Sequence, residues 1–98
     1  MLSVSVVIPA LNEGASIGQV LAAIPRDKVE EIIVVDGGST DDTAAIARAA
    51  DARVIHESRR GYGRACAAGV AAADGDILLF LDADGADDPA QIPDLLAP

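Results

Sequence analysis

The sequence predicts one α/β domain, with a doubly wound, largely parallel sheet between two layers of helices. Four short runs rich in Val, Ile or Leu alternate with four segments of helical character. Residues 32–35 and 77–81 are uninterrupted apolar runs, as in strands of a parallel sheet that are buried on both faces. Right-handed crossovers between such strands place helices on both faces, giving a three-layer α/β/α arrangement.

The first half of the chain supplies two strands and the helix between them. The first strand is predicted over residues 4–8, with Pro9 as its end. An amphipathic helix is predicted by apolar residues at i, i+3, i+4 and i+7, namely Ile17, Val20, Leu21 and Ile24, and it ends before Pro25. The second strand is predicted over residues 32–35.

The second half repeats the pattern. Ser39 and Asp42 have the spacing of a capping box and predict a helix start ahead of an alanine-rich helix to about Ala50. Strands are predicted over residues 53–56 and 77–81, and a last helix from Pro89. The buried face of the intervening helix is predicted from its periodicity to be Tyr62, Ala65, Cys66, Gly69, Val70 and Ala73.

Composition limits the possible functions. The 98 residues carry a net charge of −9 and include only one Tyr and one Phe. The acids are concentrated at the C-terminal end, which argues for a cation site and against a nucleic-acid partner. The single cysteine excludes an internal disulfide and is expected to be a packing thiol. With no signal peptide and no apolar run long enough to span a membrane, a cytoplasmic location is expected.

The strand ends indicate where a ligand would bind. In a parallel sheet all strands open onto one edge, and open α/β sheets bind their ligands there. Residues 9–13, 36–39, 57–63 and 82–88 are expected to meet at this edge, and they are the segments richest in Gly and Asp. A ligand crevice is therefore predicted along the edge.

Asp82 and Asp84 are the strongest candidates for a metal site. They follow the fourth apolar run directly, and Asp87 and Asp88 come soon after. Mg²⁺ and Mn²⁺ are usually held by one or two carboxylates together with substrate phosphate oxygens. Two carboxylates this close repel each other unless a cation compensates. A Mg²⁺-dependent phosphohydrolase with an acidic active site is an alternative, because such enzymes also have two Asp residues after a strand.

Other polar residues at the edge have two interpretations each. Asp36 ends an apolar strand and could accept hydrogen bonds from a nucleobase or ribose, or it could belong to a tight turn. Asn12 and Glu13 could contact a ligand or cap a helix. The basic segment 59–64 suits a diphosphate, a nucleobase or a phosphorylated acceptor, but it could also be a solvated loop. His56 is expected to be structural or solvated.

Four motifs resemble the family-2 glycosyltransferases with a GT-A fold, with the closest likeness to the branch similar to dolichyl- or polyprenyl-phosphate hexosyltransferases. The motifs are residues 7–13, 31–41, 60–65 and 75–84, the last containing the DxD motif. In the second motif Gly37 stands where the family commonly has a second Asp. Such catalytic domains are roughly twice as long, so residues 1–98 would be the N-terminal, nucleotide-sugar-binding part of an incomplete domain.

The resemblance implies a nucleoside-diphosphate sugar as donor and a polyprenyl phosphate at the membrane surface as one acceptor. It implies that Asp84, with Asp82, binds Mg²⁺ or Mn²⁺, that Asp82 also contacts ribose, and that Asp36 contacts the base. The other implied substrate-binding residues are Pro9, Ala10, Asn12, Glu13, Arg60, Gly61, Gly63 and Arg64. Transfer would be an inverting displacement, and any catalytic base would lie outside this chain. A binding module without turnover is the non-enzymatic alternative, and self-association of a half-domain through exposed apolar surface is a further expectation.

Overall fold

The computed structural model describes residues 2–85, and these form a parallel four-stranded sheet with helices on both faces. The strands are β1 (Val4–Ala10), β2 (Glu31–Asp36), β3 (Arg53–His56) and β4 (Ile77–Phe80), in the order β3-β2-β1-β4. The helices are α1 (Ile17–Ala23), α2 (Thr43–Ala49) and α3 (Tyr62–Ala72), and a short 3-10 turn covers Arg26–Lys28. The predicted fold class is confirmed. The helix expected from Pro89, and Asp87 and Asp88, lie outside the described residues.

Strand β1 is inside the sheet, between β2 and β4, and its side chains alternate between the two faces. They contribute to a hydrophobic core on each face. Val6 and Ile8 are buried with residues of α1 and α2, including Ile17 and Leu21. Val7 faces the opposite way and packs with β2 and the small residues of α3. Burial of both faces explains why residues 32–35 of β2 are uniformly apolar, whereas the edge strand β3 begins and ends with the exposed residues Arg53 and His56. None of the described helices has the length and hydropathy needed to cross a membrane.

Pro9 does not end the first strand, contrary to expectation. It pairs in register with Val35, and β1 continues to Ala10. The carbonyl of Val7 accepts the N–H of Leu81, so it points to the β4 side of the strand. The backbone groups of Pro9, two residues further on, point to the same side, where the pairing of β1 with β4 has already ended. The missing N–H of proline therefore costs no bond with β2. Pro9 ends the pairing of β1 with β4 only.

The predicted buried face of α3 is confirmed only in part: Ala65, Gly69 and Ala73 pack against the sheet as expected. Tyr62 and Val70 are exposed, and the helix packs through Gly69 and three alanines at helical spacing, Ala65, Ala68 and Ala72. A Cβ atom at Gly69 would lie 2.3 Å from Cγ1 of Val7. The backbone of α3 thus approaches the sheet closely, and small residues rather than large apolar ones decide which face is buried.

The start of α2 is not a capping box. The helix begins at Thr43, and its N-cap residue Asp42 forms no side-chain capping bond. The side chains of Ser39 and Asp41 instead bond to the loop that follows β1. The polar residues that suggested a helix start are used to join two loops at the carboxyl edge of the sheet.

Candidate functional site

A cleft of about 700 Å³ opens at the carboxyl edge of the sheet, between the loops that follow β1, β2 and β3. This volume suits a small organic ligand of nucleotide size. Five predicted binding residues line it: Pro9, Ala10, Asn12, Arg60 and Gly61. Leu11 and Tyr62 also line it with exposed side chains; they lie in the segments 9–13 and 57–63 expected at this edge, but neither was named as a binding residue. The cleft therefore offers apolar contacts beside polar and cationic groups.

Asn12 joins the first two loops of the cleft. Its Oδ1 accepts hydrogen bonds from the backbone N–H of Thr40 at 2.8 Å and of Asp41 at 3.4 Å. Its own N–H donates to Oγ of Ser39 at 2.8 Å. The residue has a φ of +54°, a left-handed conformation that Asn tolerates better than most residues. The Asn12 side chain thus acts within the protein, and direct contact with a ligand stays a prediction.

Two further bonds complete this junction. The N–H of Glu13 donates to Oγ1 of Thr43 at 2.9 Å, and that of Gly14 donates to Oδ2 of Asp41 at 3.0 Å. Hydrogen bonds from the hydroxyl and the amide of Thr43, together with that from Gly14, hold the pKa of Asp41 below its ordinary value. The walls of the cleft are therefore fixed to one another before any ligand binds.

Asp36 lies below the cleft rather than on its surface. It is only 4% exposed, and its Oδ1 accepts the N–H of Ser39 at 3.1 Å. Its Oδ2 lies 3.3 Å from Nδ1 of His56, whose Nε2 is 3.1 Å from Nη2 of Arg48. This geometry supports the tight-turn interpretation and gives His56 a structural neighbour. A contact between Asp36 and a nucleobase stays a prediction.

The basic segment divides into a paired and an unpaired part. Arg59 forms two bonds with Glu57, Nε to Oε1 at 2.8 Å and Nη2 to Oε2 at 2.9 Å. These bonds, with the Arg59 N–H, lower the pKa of Glu57 to about 2. Within residues 2–85, neither Arg60 at the cleft nor Arg64 on the first turn of α3 forms an ion pair. Those two guanidinium groups are the ones available to an anionic ligand. In the sequence Gly63 lies between Arg60 and Arg64, and a Cβ atom at this position would meet open space.

Asp82 and Asp84 lie at the end of β4, on the other side of β1 from the cleft. Both are exposed, whereas Leu81 and Ala83 beside them are buried. This alternation turns the carboxylates away from the core. In the described part of the chain no group of three or more acidic, His or Cys side chains could enclose a metal ion. Two carboxylates nevertheless fit Mg²⁺ or Mn²⁺, which take their remaining ligands from phosphate oxygens and water.

Comparison with known protein families assigns this chain to a family that accounts for both its fold and its motifs. Residues 5–98 match the family described as glycosyl transferase family 2. The chain belongs to this family. The resemblance inferred from the four motifs is confirmed at the level of the family, and the phosphohydrolase alternative loses its support.

Two relatives illustrate the range of this family-2 match. An uncharacterised glycosyltransferase of Mycobacterium bovis is 48% identical over 95 residues, which cover 97% of this chain and 43% of the relative. The glucosyl-3-phosphoglycerate synthase of Mycolicibacterium smegmatis is 41% identical over 108 residues, covering 98% of this chain and 36% of the synthase. The chain therefore spans about two-fifths of the length of these relatives.

Solved structures agree with the family assignment. The glucosyl-3-phosphoglycerate synthase of Mycobacterium tuberculosis in complex with uridine diphosphate has a TM-score of 0.89 and 40% identity, covering 99% of this chain and 39% of the synthase. A complex of that enzyme with Mn²⁺, uridine diphosphate and glucosyl-3-phosphoglycerate has a TM-score of 0.78 and 42% identity, covering 84% of this chain and 33% of the synthase. These named proteins are phosphoglycerate enzymes, so they do not support the polyprenyl-phosphate branch.

The structure also adds residues that sequence reasoning missed. Ser16 donates from its hydroxyl to the carbonyl of Ala83 at 2.6 Å, and Thr43 joins the first two loops as described above. No motif indicated either residue, because each bond joins segments far apart in sequence. The one available signal was a polar residue beside a strand end, which many unrelated loops share.

Proposed function

We propose that this chain forms the uridine-diphosphate-sugar site of a hexosyltransferase that acts with inversion at the anomeric carbon. One observation carries the proposal. A nucleotide-sized cleft and a pair of exposed carboxylates flank the same end of β1, where the strand order reverses. Open α/β sheets bind ligands at this reversal point. The similarity to a solved uridine-diphosphate complex supports the choice of base.

Each group at the edge then has a task. The cleft holds the nucleoside between Leu11 and Tyr62, with Asp36 as the proposed partner of the base. Arg60 and Arg64 face the negative charge of the diphosphate, for which a planar guanidinium is suited. Mg²⁺ or Mn²⁺, held by Asp82 and Asp84, would neutralise charge on the departing nucleoside diphosphate.

The rigid junction between the first two loops is a second contribution of the protein. Because the bonds of Asn12 and Glu13 already fix the walls of the cleft, little ordering remains to be done when the nucleotide binds. Preorganisation of this kind favours affinity and orients the sugar for attack. The catalytic base and the acceptor site are not assigned to any residue of this chain.

For the acceptor we propose a small phosphorylated acid in place of the polyprenyl phosphate expected from the motifs. The glucosyl-3-phosphoglycerate synthases among the relatives support this choice, and solved structures of the Mycobacterium tuberculosis enzyme contain phosphoglyceric acid. Both acceptors present a phosphate. The protein should transfer glucose from uridine-diphosphate glucose to 3-phosphoglycerate and not to polyprenyl phosphate in detergent. The reverse preference would return the protein to the lipid-phosphate branch.

The donor site is tested by calorimetric titration with uridine and guanosine diphosphates, first with Mn²⁺ and then with a chelator. We expect Mn²⁺ to strengthen binding of the uridine nucleotide, and Asp84→Ala to remove that gain. Asp27→Ala is the matched control, because Asp27 is an exposed carboxylate in the 3-10 turn, away from the cleft. Asp84→Ala protein with the wild-type response to Mn²⁺ would contradict the proposed site.

A further inference from the structure

We propose that Ser16 is a positioning residue that sets the place of the two metal-binding carboxylates. This inference rests on the proposed function, because it assumes that Asp82 and Asp84 bind the metal. Ser16 lies just before α1, and its hydroxyl donates to the carbonyl of Ala83 at 2.6 Å. Ala83 is the residue between the two aspartates. The bond therefore holds the peptide group between Ala83 and Asp84, within the segment that carries both carboxylates.

The use of this hydroxyl is unusual for its position. Ser16 is the N-cap residue of α1, where a serine ordinarily accepts a hydrogen bond from a backbone N–H of the first turn. Here the side chain forms no such capping bond. Its oxygen also lies 3.3 Å from Oε2 of Glu13, but a hydroxyl has one proton, and the shorter contact with Ala83 takes it. Helix α1 therefore has no side-chain cap at its N-terminus. The hydrogen bond from Ser16 instead joins two residues that are 67 positions apart in sequence.

The loop after β4 is held from a second direction as well. The methyl group of Ala83 is buried in the core beneath α1, at 3% exposure, together with Leu81. Burial of this methyl group fixes the depth of the loop. The bond from Ser16 orients the carbonyl of Ala83, and with it the peptide group from which Asp84 leaves the backbone. Ligands held in place before a metal arrives bind it more tightly.

The same loop connects Ser16 with the nucleotide cleft. Between β1 and α1, Asn12 and Glu13 bond to the loop after β2, and Ser16 bonds to the loop after β4. One segment thus holds the cleft on one side and the carboxylates on the other. Loss of the Ser16 hydroxyl should affect the metal side alone, because the bonds of Asn12 and Glu13 do not depend on it.

The test compares binding of uridine diphosphate to the wild-type chain and to Ser16→Ala, with Mn²⁺ and with a chelator. We expect the variant to need about fivefold more Mn²⁺ for half of the metal-dependent gain, the effect of losing one intramolecular hydrogen bond. Its affinity for uridine diphosphate without metal should stay within about twofold. The metal-free melting temperature should fall by about 4–8 °C, because the folded chain loses the Ser16–Ala83 hydrogen bond whether or not metal is present. Ser16→Thr, which keeps the hydroxyl, should restore the wild-type response.

Two further variants make the result decisive. Ser3→Ala removes a hydroxyl that donates to Asp76 at the opposite edge of the sheet, and it should leave the Mn²⁺ requirement unchanged. Ser16→Gly suits the N-cap position and serves if the alanine variant does not fold. A wild-type Mn²⁺ requirement in Ser16→Ala or Ser16→Gly would overturn the inference, as would equal weakening with and without metal. Failure of the wild-type chain to respond to Mn²⁺ would instead overturn the proposed function.

Discussion

Asn12 should contribute measurably to stability through its bonds to the loop after β2. Replacement by Ala removes the acceptor of the Thr40 N–H, worth about 1 kcal/mol, and of the longer Asp41 bond, worth a few tenths. Water can reach both N–H groups, so no larger desolvation cost follows. Alanine must also adopt the φ of +54°, at about 1 kcal/mol. The sum is about 2 kcal/mol, a large part of the stability of a small domain.

Asn12→Gly separates the two terms of this sum. Glycine adopts positive φ freely, so this variant should lose only the hydrogen bonds and be about 1 kcal/mol more stable than Asn12→Ala. Urea unfolding followed by circular dichroism measures both free energies of unfolding, and the slope with urea should be unchanged. Losses below about 0.5 kcal/mol in both variants, the size of an ordinary surface substitution, would refute the role of the bonds. Equal stability of the two variants would refute the backbone term.

The remaining predictions concern α3 and the basic segment. Gly69→Ala should destabilise the domain by about 1–3 kcal/mol, because its Cβ would lie 2.3 Å from Val7, whereas Gly63→Ala in the same helix meets nothing and should be neutral or stabilising in urea unfolding. Similar losses in the two would contradict the close approach. Arg59→Gln should raise the pKa of Glu57 from about 2 toward 4.5 in an NMR titration. Ionised Glu57 is the stabilised form, so wild-type protein loses this stabilisation as pH falls from about 4.5 toward 2, and the variant lacks it. An unchanged titration would exclude the Arg59 contact.

Where the local pattern carried enough information, the elements were predictable. The spacing of Ile17, Val20, Leu21 and Ile24 located α1 and its buried face, and all four are buried. The limits of β3 were also predicted correctly. In α3 the pattern was right for Ala65, Gly69 and Ala73 but wrong for Tyr62 and Val70, because the position of the helix against β1 depends on how closely two backbones can approach. That distance is decided by the partner strand and not by the periodicity of the helix.

The candidate site divides in the same way. Pro9, Ala10, Arg60 and Gly61 were expected at one edge because parallel strands all end there, and the cleft contains them. Asp36 was expected there as well, but its carboxylate is turned below the surface by the N–H of Ser39. The direction of a short side chain in a turn depends on the donors around it. Those donors come from the folded loop, which the strand pattern does not describe.

By itself, the sequence determined the alternation of strands and helices, the edge at which the cleft opens and the family to which the chain belongs. These follow from the period of the apolar residues and from motifs carried on single segments. Only the tertiary structure decided that Asn12 bonds to the loop after β2 and Ser16 to the loop after β4. The reason is physical: β1 lies between β2 and β4 in the sheet, and this order brings together hydrogen-bonding groups that the chain itself keeps far apart.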